Sequence, residues 1–95
     1  MKRFRNTEYL VDVLGYVYRK GKKLKPRNSR GYQQVFLYPE KRHYKIHRMV
    51  AEIYLDNPNN LTDVNHKNLD KSDNRVSNLE WSSHSQNLKH YYQFR

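Results

Sequence analysis

One histidine and a set of asparagines lie close together in the C-terminal half of the chain. Asn65 and His66 are adjacent, and Asn78 and Asn87 follow them. Amide oxygens are hard ligands that suit a divalent cation such as Mg²⁺. A neutral imidazole beside them can take a proton from water near pH 7, because its ordinary pKa lies close to that value. Hard metal ligands beside a histidine base, in a strongly basic protein, point to phosphodiester hydrolysis.

Positive charge is concentrated in the N-terminal half. The 95 residues have a formal net charge of +10, and residues 1–48 hold 14 Lys and Arg against 3 acidic residues, whereas residues 49–95 hold 5 against 6. Such a basic half predicts a polyanion-binding surface, most simply for nucleic acid, with a solvated basic face as the alternative. The residues predicted to contact DNA phosphates form the densest basic run, which tyrosines interrupt: Arg19, Lys20, Lys22, Lys23, Lys25, Arg27 and Arg30.

The composition limits what else the chain can be. Its length suits one small domain with a modest core. It has no cysteine, so neither a disulfide nor a cysteine zinc site is available to hold the fold. No apolar run reaches membrane-spanning length, and the basic start leads into no hydrophobic segment, so we expect no signal peptide.

The basic half has the pattern of an antiparallel sheet. Short runs of β-branched and aromatic residues alternate with turn residues, among them Gly15 and Gly21. These runs predict one small twisted sheet whose loops carry the lysines and arginines. The predicted strands cover residues 9–11, 15–18, 31–38 and 43–46.

An amphipathic helix is predicted after this sheet. Apolar residues from Ile46 to Ile53 recur with the i, i+3, i+4, i+7 spacing of one helix face. The helix is predicted over about residues 47–55 and ends before Pro58, because proline disfavours helical conformation in the residue that precedes it. We expect its apolar face to pack on the sheet.

A strand, loop, strand and helix follow, and they contain the histidine and the asparagines. Ser83 and Gln86 fit a capping box, so the helix is predicted from about residue 84 to 92 with Asn87 on it. The two strands are predicted at 61–66 and 76–82, and the polar loop between them at 67–75.

Some polar residues of this unit have two interpretations. Asn74 and Asn78 can act in a site or can only satisfy backbone groups. Arg75 can hold a phosphate, since a guanidinium fits phosphate oxygens, or it can brace the loop by a salt bridge to Asp70 or Asp73.

Taken together, these motifs resemble the HNH endonucleases of bacteriophages and mobile introns. The resemblance is carried by residues 46–52, 64–66, 74–81 and 84–87, and residues 8–19 resemble the small DNA-binding module that often precedes that domain. It implies an α+β fold in one domain, residues 1–95. A small N-terminal antiparallel β-sheet forms a basic DNA-binding part over residues 1–45, and the helix and a ββα-metal (His-Me finger) motif form the catalytic part over residues 46–95.

The resemblance also implies a role for each site residue. His66 resembles the general base that activates the attacking water. Asn65 and Asn87 match the two protein ligands of a divalent ion, Mg²⁺ or Mn²⁺. Asn78 matches the middle asparagine of the motif, which braces the site and helps to orient the histidine. Arg75 is counted with the residues that contact DNA.

The chain departs from the family pattern at two places. Many relatives carry Asp where Asn65 stands, so this residue is either a natural variant or the mark of an attenuated site. The usual Asp-Gly turn after the histidine is replaced by Asn68 and Leu69, which leaves the conformation of the loop open.

We therefore expect a free-standing, metal-dependent DNA endonuclease of phage origin, related to homing enzymes and active in the cytoplasm of a bacterial host. Its expected partner is double-stranded DNA, with no membrane and no small-molecule cofactor. A monomer or weak dimer with one active site per chain favours a nick in one strand. The alternatives are a non-catalytic DNA-binding module with a degenerate site and an RNA-binding protein.

Overall fold

The protein is described from a computed structural model, which covers residues 1–38 and 40–85. These residues form three antiparallel sheets and one α-helix. The first sheet contains β1 (Lys2–Arg3), β2 (Tyr9–Val11), β3 (Val17–Arg19) and β4 (Lys22–Lys23) in chain order. The second contains β5 (Arg27–Ser29), β6 (Tyr32–Leu37) and β7 (Arg42–Lys45), and helix α1 (Ile46–Tyr54) follows it directly. The third is a two-stranded ribbon of β8 (Asp63–His66) and β9 (Leu79–Ser82), with one turn of 3₁₀ helix at Val76–Asn78 before β9.

The predicted α+β class is confirmed, but the prediction of a single N-terminal sheet is wrong. The basic half forms two sheets, and the chain leaves β4 through Leu24, Lys25 and Pro26 before β5 begins. Proline has no backbone N–H to donate to a neighbouring strand. The strand pairing of the first sheet therefore ends before Pro26, and the strand pairing of the second sheet begins after it.

Helix α1 lies at the centre of the core. Its buried residues include Ile46, Met49 and Val50, three of the four positions in the predicted apolar face, while Ile53 is only partly buried. The helix contacts β6 and β7 of the second sheet and also both strands of the β8–β9 ribbon. Its bounds differ from the prediction by one residue at each end. Because one helix contacts both parts, it fixes the ribbon against the second sheet.

The turn between β2 and β3 is organised by one carboxylate. Oδ1 of Asp12 accepts hydrogen bonds from the backbone N–H groups of Leu14 and Tyr16, at 3.0 and 2.9 Å. Gly15 has a φ of +87°, in the left-handed region that favours glycine. The turn predicted at this glycine is confirmed.

The last predicted element falls mostly outside the described residues. Residues 84 and 85 are helical, and the rest of the predicted helix, with Asn87, lies beyond the part of the chain that the structure describes. Among the described residues, no helix is both long enough and apolar enough to span a membrane.

Candidate active site

His66 is the last residue of β8, and its imidazole is held on several sides. The side chain is 5% exposed. Its ring centroid lies 5.0 Å from that of His47 on α1 and 6.1 Å from that of Tyr32 at the start of β6. Rings from the helix and the second sheet thus fix the position of an imidazole that the ribbon supplies.

A hydrogen bond to Asn74 sets which ring nitrogen of His66 carries the proton. Oδ1 of Asn74 lies 2.8 Å from Nε2 of His66. An amide oxygen can only accept, so Nε2 donates and Nδ1 keeps its lone pair. Burial lowers the pKa of His66 below its ordinary value, and the hydrogen bond to Asn74 opposes this in part. The neutral ring, with Nδ1 as a possible base, is therefore the favoured form near pH 7.

Asn78 braces the loop that follows the histidine. Its Nδ2 donates to Oδ1 of Asn68 at 3.0 Å and to the backbone oxygen of Asp73 at 2.9 Å, and its Oδ1 accepts from the backbone N–H of Asn68 at 3.1 Å. Asn78 thus braces the loop, but the side chain that contacts His66 belongs to Asn74. Sequence reasoning left the role of Asn74 open, because spacing does not say which loop amide faces the ring.

The loop makes a tight turn directly after His66. The backbone N–H of Leu69 donates to the oxygen of His66 at 2.9 Å, and Leu69 has a φ of +64°. Leucine thus adopts the left-handed conformation that glycine adopts more easily. The chain makes this turn with Asn68 and Leu69, and the backbone strain of the turn lies on Leu69.

Arg75 forms a bidentate pair with Asp73. Its Nε and Nη2 lie 2.8 Å from Oδ1 and Oδ2 of that carboxylate. These bonds are the main cause that lowers the pKa of Asp73 to about 2. Of the two interpretations of Arg75, the structure contains the loop brace, and the partner is Asp73.

Asn65 lies on the opposite face of the ribbon from His66, because side chains alternate along a strand. It is also 5% exposed, and its Nδ2 donates to Oε1 of Glu80, its cross-strand partner, at 2.9 Å. The amide oxygen is then the atom that Asn65 can offer to a cation, and a carboxylate lies beside it. This donor set fits a hard divalent ion. The described residues contain no cluster of three or more His, Cys, Asp or Glu suited to a metal.

Comparison with known proteins identifies this arrangement. Residues 44–89 match the family model described as HNH endonuclease. Residues 44–89 belong to the HNH endonuclease family. Two proteins of Acanthamoeba polyphaga mimivirus, both described as uncharacterized HNH endonucleases, are 38% and 41% identical to it over 95 and 90 residues. Those alignments cover 95% and 87% of this chain but only 29% and 23% of the relatives, so the chain spans less than a third of their length.

A solved structure of an HNH endonuclease has the same fold. It describes DNA binding and cleavage by the HNH homing endonuclease I-HmuI, and it matches with a TM-score of 0.80 at 27% identity. The match covers 96% of this chain and 55% of that one. The predicted family is confirmed, while the predicted phage origin stays a prediction.

The predicted DNA-binding residues of the chain are not equivalent. Lys22 and Lys23 form the exposed edge strand β4, and Nζ of Lys23 lies 4.1 Å from the ring centroid of Tyr16. Arg19 instead pairs with Glu8, with Nε 2.6 Å from Oε1. The exposed lysines can meet a phosphate directly, whereas Arg19 would first have to leave its carboxylate. Also exposed within the predicted set are Lys20, Lys25, Arg27 and Arg30.

Two lysines near His66 were missing from the predicted set. Nζ of Lys45 and Nζ of Lys71 lie 4.8 and 4.7 Å from the ring centroid of Tyr32, which is itself beside His66. Lys71 also lies against the turn that contains Gly31, because a Cβ at Gly31 would be 3.1 Å from Cδ of Lys71. Neither lysine belongs to the dense basic run, so only the fold brings them to the histidine.

Proposed function

We propose that the chain is a metal-dependent DNA endonuclease domain that cuts one phosphodiester bond per binding event, in the manner of a nicking enzyme. Membership of the HNH endonuclease family and the similarity to I-HmuI, whose solved structure describes DNA binding and cleavage, support a DNA substrate. The observation that carries the proposal is the hydrogen bond from Nε2 of His66 to Asn74, which leaves Nδ1 as a base.

In this proposal His66 removes a proton from the attacking water. The proton moves to Nδ1, the oxygen of the water attacks phosphorus, and the bond from phosphorus to the 3′-oxygen breaks. The departing 3′-oxygen takes a proton from solvent water, so the products are a 5′-phosphate and a 3′-hydroxyl. Asn74 stabilises the imidazolium that forms, since its oxygen accepts a hydrogen bond from the charged ring. Because burial lowers the pKa of His66, the ring starts neutral near pH 7.

Asn65 and Asn87 are the residues that would hold one Mg²⁺ or Mn²⁺ in this proposal. When bound, the ion would stabilise negative charge on the phosphate and on the 3′ leaving oxygen. Glu80 fixes the amide of Asn65 so that its oxygen is the ligating atom, and its carboxylate adds the negative charge that a neutral ligand lacks. The side chains of Asn65 and His66 point to opposite faces of the ribbon. A phosphate group in contact with both would therefore have to lie at the end of the ribbon, where β8 ends.

The basic residues position the DNA strand in this proposal. Lys45 and Lys71 lie beside Tyr32 next to His66, where they can contact the phosphates that flank the scissile bond. Lys22 and Lys23 on β4 extend the positive surface away from the site. Contacts of this kind fix register on the duplex and do not read sequence.

A plasmid assay tests the proposal. Supercoiled plasmid is incubated with the protein in Mg²⁺, in Mn²⁺ or in EDTA, and the His66→Ala variant is compared with His43→Ala, which changes an exposed histidine on β7. We expect open-circular product in the reactions with Mg²⁺ or Mn²⁺ and none in EDTA. The cleavage rate should fall about 10²- to 10⁴-fold in His66→Ala and should change little in His43→Ala.

Two results would replace this proposal with another function. An intact plasmid in both metals, with a retained shift of duplex DNA in a gel, would show a non-catalytic DNA-binding module. Stronger binding of RNA than of duplex DNA at one fixed salt concentration would show an RNA-binding protein.

A further inference from the structure

We infer that the turn between β2 and β3 is a positioning element for His66, and that it acts through Asn74. This turn, residues 12–16, belongs to the N-terminal sheet and lies far from the histidine in sequence. The inference rests on the proposed role of His66 as the base. It goes beyond that role because it makes the N-terminal part of the chain a component of the active site and not only a surface for DNA.

Backbone contacts join the turn to the loop that carries Asn74. The backbone N–H of Val76 donates to the oxygen of Val13 at 2.9 Å. Gly15 packs directly on Asn74: a Cβ built on Gly15 would lie 2.6 Å from the backbone oxygen of Asn74 and 2.7 Å from its Cβ. The absence of a side chain at Gly15 is therefore a requirement of this contact.

The turn is rigid enough to hold a neighbour in place. Besides accepting from two backbone N–H groups of the turn, the carboxylate of Asp12 accepts from the hydroxyl of Tyr18 at 3.0 Å through Oδ2. Gly15 itself donates to the backbone oxygen of Asp12 at 3.1 Å. One acidic side chain thus ties the turn to itself and to β3.

The contact with Asn74 matters because of what Asn74 does. Its side chain is buried, and its oxygen lies 2.8 Å from Nε2 of His66. Hydrogen bonds weaken when the distance or angle leaves a narrow range, so a displaced Asn74 would lose its hold on the ring. A neutral imidazole without that acceptor also populates the other tautomer, in which Nδ1 carries a proton and cannot act as a base.

The outer side of the same turn faces solvent. Leu14 is 54% exposed and Tyr16 is 45% exposed, and the amino group of Lys23 lies over the ring of Tyr16. Leu14, Tyr16 and Arg75 line one groove beside Asn74.

Gly15→Ala tests the inference, and Gly21→Ala is its matched control. Both glycines have positive φ, +87° and +79°, so both substitutions add similar backbone strain, but nothing lies within 4 Å of a Cβ at Gly21. The tautomer of His66 is read from nitrogen-15 NMR of the imidazole in the free protein, and kcat and KM are measured on plasmid.

We expect Gly15→Ala to shift His66 from the Nε2-protonated form to a mixture of tautomers. In the plasmid assay its kcat should fall about 10- to 100-fold while KM changes less than about twofold, since the substitution disturbs positioning and leaves binding intact. Gly21→Ala should leave the tautomer and kcat as in the wild type. Asn74→Ala should produce the same change of tautomer in the NMR spectrum. Asn74→Asp keeps an acceptor oxygen, so it should keep the Nε2-protonated form.

Unchanged tautomer populations in Gly15→Ala, with a loss of stability equal to that of Gly21→Ala, would overturn the inference. If Gly15→Ala does not fold, Asp12→Ala loosens the same turn without the steric clash and is expected to shift the tautomer in the same direction; no shift would overturn the inference. The NMR result is independent of cleavage. A wild type that does not nick DNA would therefore refute the proposed function and leave this test standing.

Discussion

In the proposed function, the hydrogen bond between Asn65 and Glu80 is what would let a neutral amide serve as a metal ligand. The carboxylate fixes the orientation of the amide and places a negative charge next to it. Partners of this kind affect metal affinity although they do not touch the ion. The choice between a natural variant and an attenuated site at Asn65 therefore depends on Glu80, a residue that the sequence did not mark.

Glu80→Gln is expected to weaken Mn²⁺ binding by about 10-fold or more, because it removes the charge while keeping an acceptor oxygen for Asn65. The affinity is measured from Mn²⁺ electron paramagnetic resonance titrations with DNA bound. Glu52→Gln is the control, since Glu52 pairs with Arg5 and not with Asn65. Equal affinity in the two variants would mean that Glu80 has no part in the metal site.

Leu69→Gly is expected to stabilise the protein by up to about 1 kcal/mol. Leucine at a φ of +64° carries about 1 to 2 kcal/mol of left-handed strain, which glycine relieves, although glycine also gains entropy in the unfolded chain. Asn60→Gly serves as the comparison, because asparagine tolerates its φ of +51° and the gain there should be near zero. Urea unfolding measures both changes, and a lower free energy of unfolding in Leu69→Gly would contradict the strain at this turn.

The residues of the site were partly predictable. The adjacent pair Asn65 and His66 was marked by its residue types, and the bracing role of Asn78 was implied by the resemblance to HNH endonucleases; their roles in catalysis stay predictions. Asn74, Glu80 and Lys71 could not be found in this way, because their contacts depend on loop conformation and on cross-strand register. Hydrogen bonds across a ribbon or a loop are set by the fold, and neighbouring residues of the same type look alike in sequence.

At the scale of elements, α1 buries a polar group that nothing in the described residues satisfies. Nδ1 of His47 has no hydrogen-bond partner there, and its ring stacks on Tyr32 with centroids 5.0 Å apart. Burial first, and then the nearby His66, Arg48 and Lys45, lower the pKa of His47 from 6.5 to about 3. The helix therefore packs well only while this histidine is neutral.

This burial predicts that stability falls as the pH falls below 6.5. His47 takes up a proton near pH 6.5 in the unfolded chain but only near pH 3 in the folded chain. The stabilisation that comes from the neutral, buried His47 is therefore complete above pH 6.5 and is lost as the pH falls from 6.5 to about 3. The free energy of unfolding should drop by about 1 kcal/mol per pH unit in that range. His66, whose pKa is also lowered, adds a loss of the same sign.

His47→Phe should flatten this dependence and should not destabilise the protein at pH 7, because it removes an unpaired buried nitrogen and keeps the ring. Urea unfolding from pH 7 to about pH 4 measures both effects. His43→Phe, at an exposed position, is expected to leave the slope as in the wild type. A slope that persists unchanged in His47→Phe would assign the effect to other groups.

Element prediction succeeded where one pattern decides and failed where several elements compete. The spacing of apolar residues located α1 to within one residue at each end, and Gly15 located a turn. The division of the N-terminal strands into two sheets was missed, because strand pairing depends on long-range contacts that alternation does not encode. The meeting of the Gly15 and Gly31 turns with the loop after His66 was missed for the same reason.

At the scale of the whole molecule, the uneven charge is the feature that the sequence predicted most directly. The basic half forms the two N-terminal sheets, and the half that contains the ribbon is close to neutral. A binding surface of this kind exchanges condensed counterions for protein contacts, so its affinity for DNA falls with salt in proportion to the number of phosphates neutralised. In the fold, some of these positive side chains are exposed, whereas others are already paired with a carboxylate.

The double variant Lys22→Ala with Lys23→Ala should reduce the slope of log affinity against log salt by about 2, because each lysine neutralises about one phosphate. Arg19→Ala should change the slope little, because Glu8 already neutralises that guanidinium. Fluorescence anisotropy with duplex DNA in EDTA, from about 50 to 200 mM salt, measures both without cleavage.

An equal reduction from Arg19→Ala would mean that the pair with Glu8 opens on DNA, and an unchanged slope in the double variant would place the interface away from β4. Because the prediction concerns only phosphate binding, it should hold for duplexes of unrelated sequence, and a slope that varies with sequence would show that these lysines also take part in base or shape recognition.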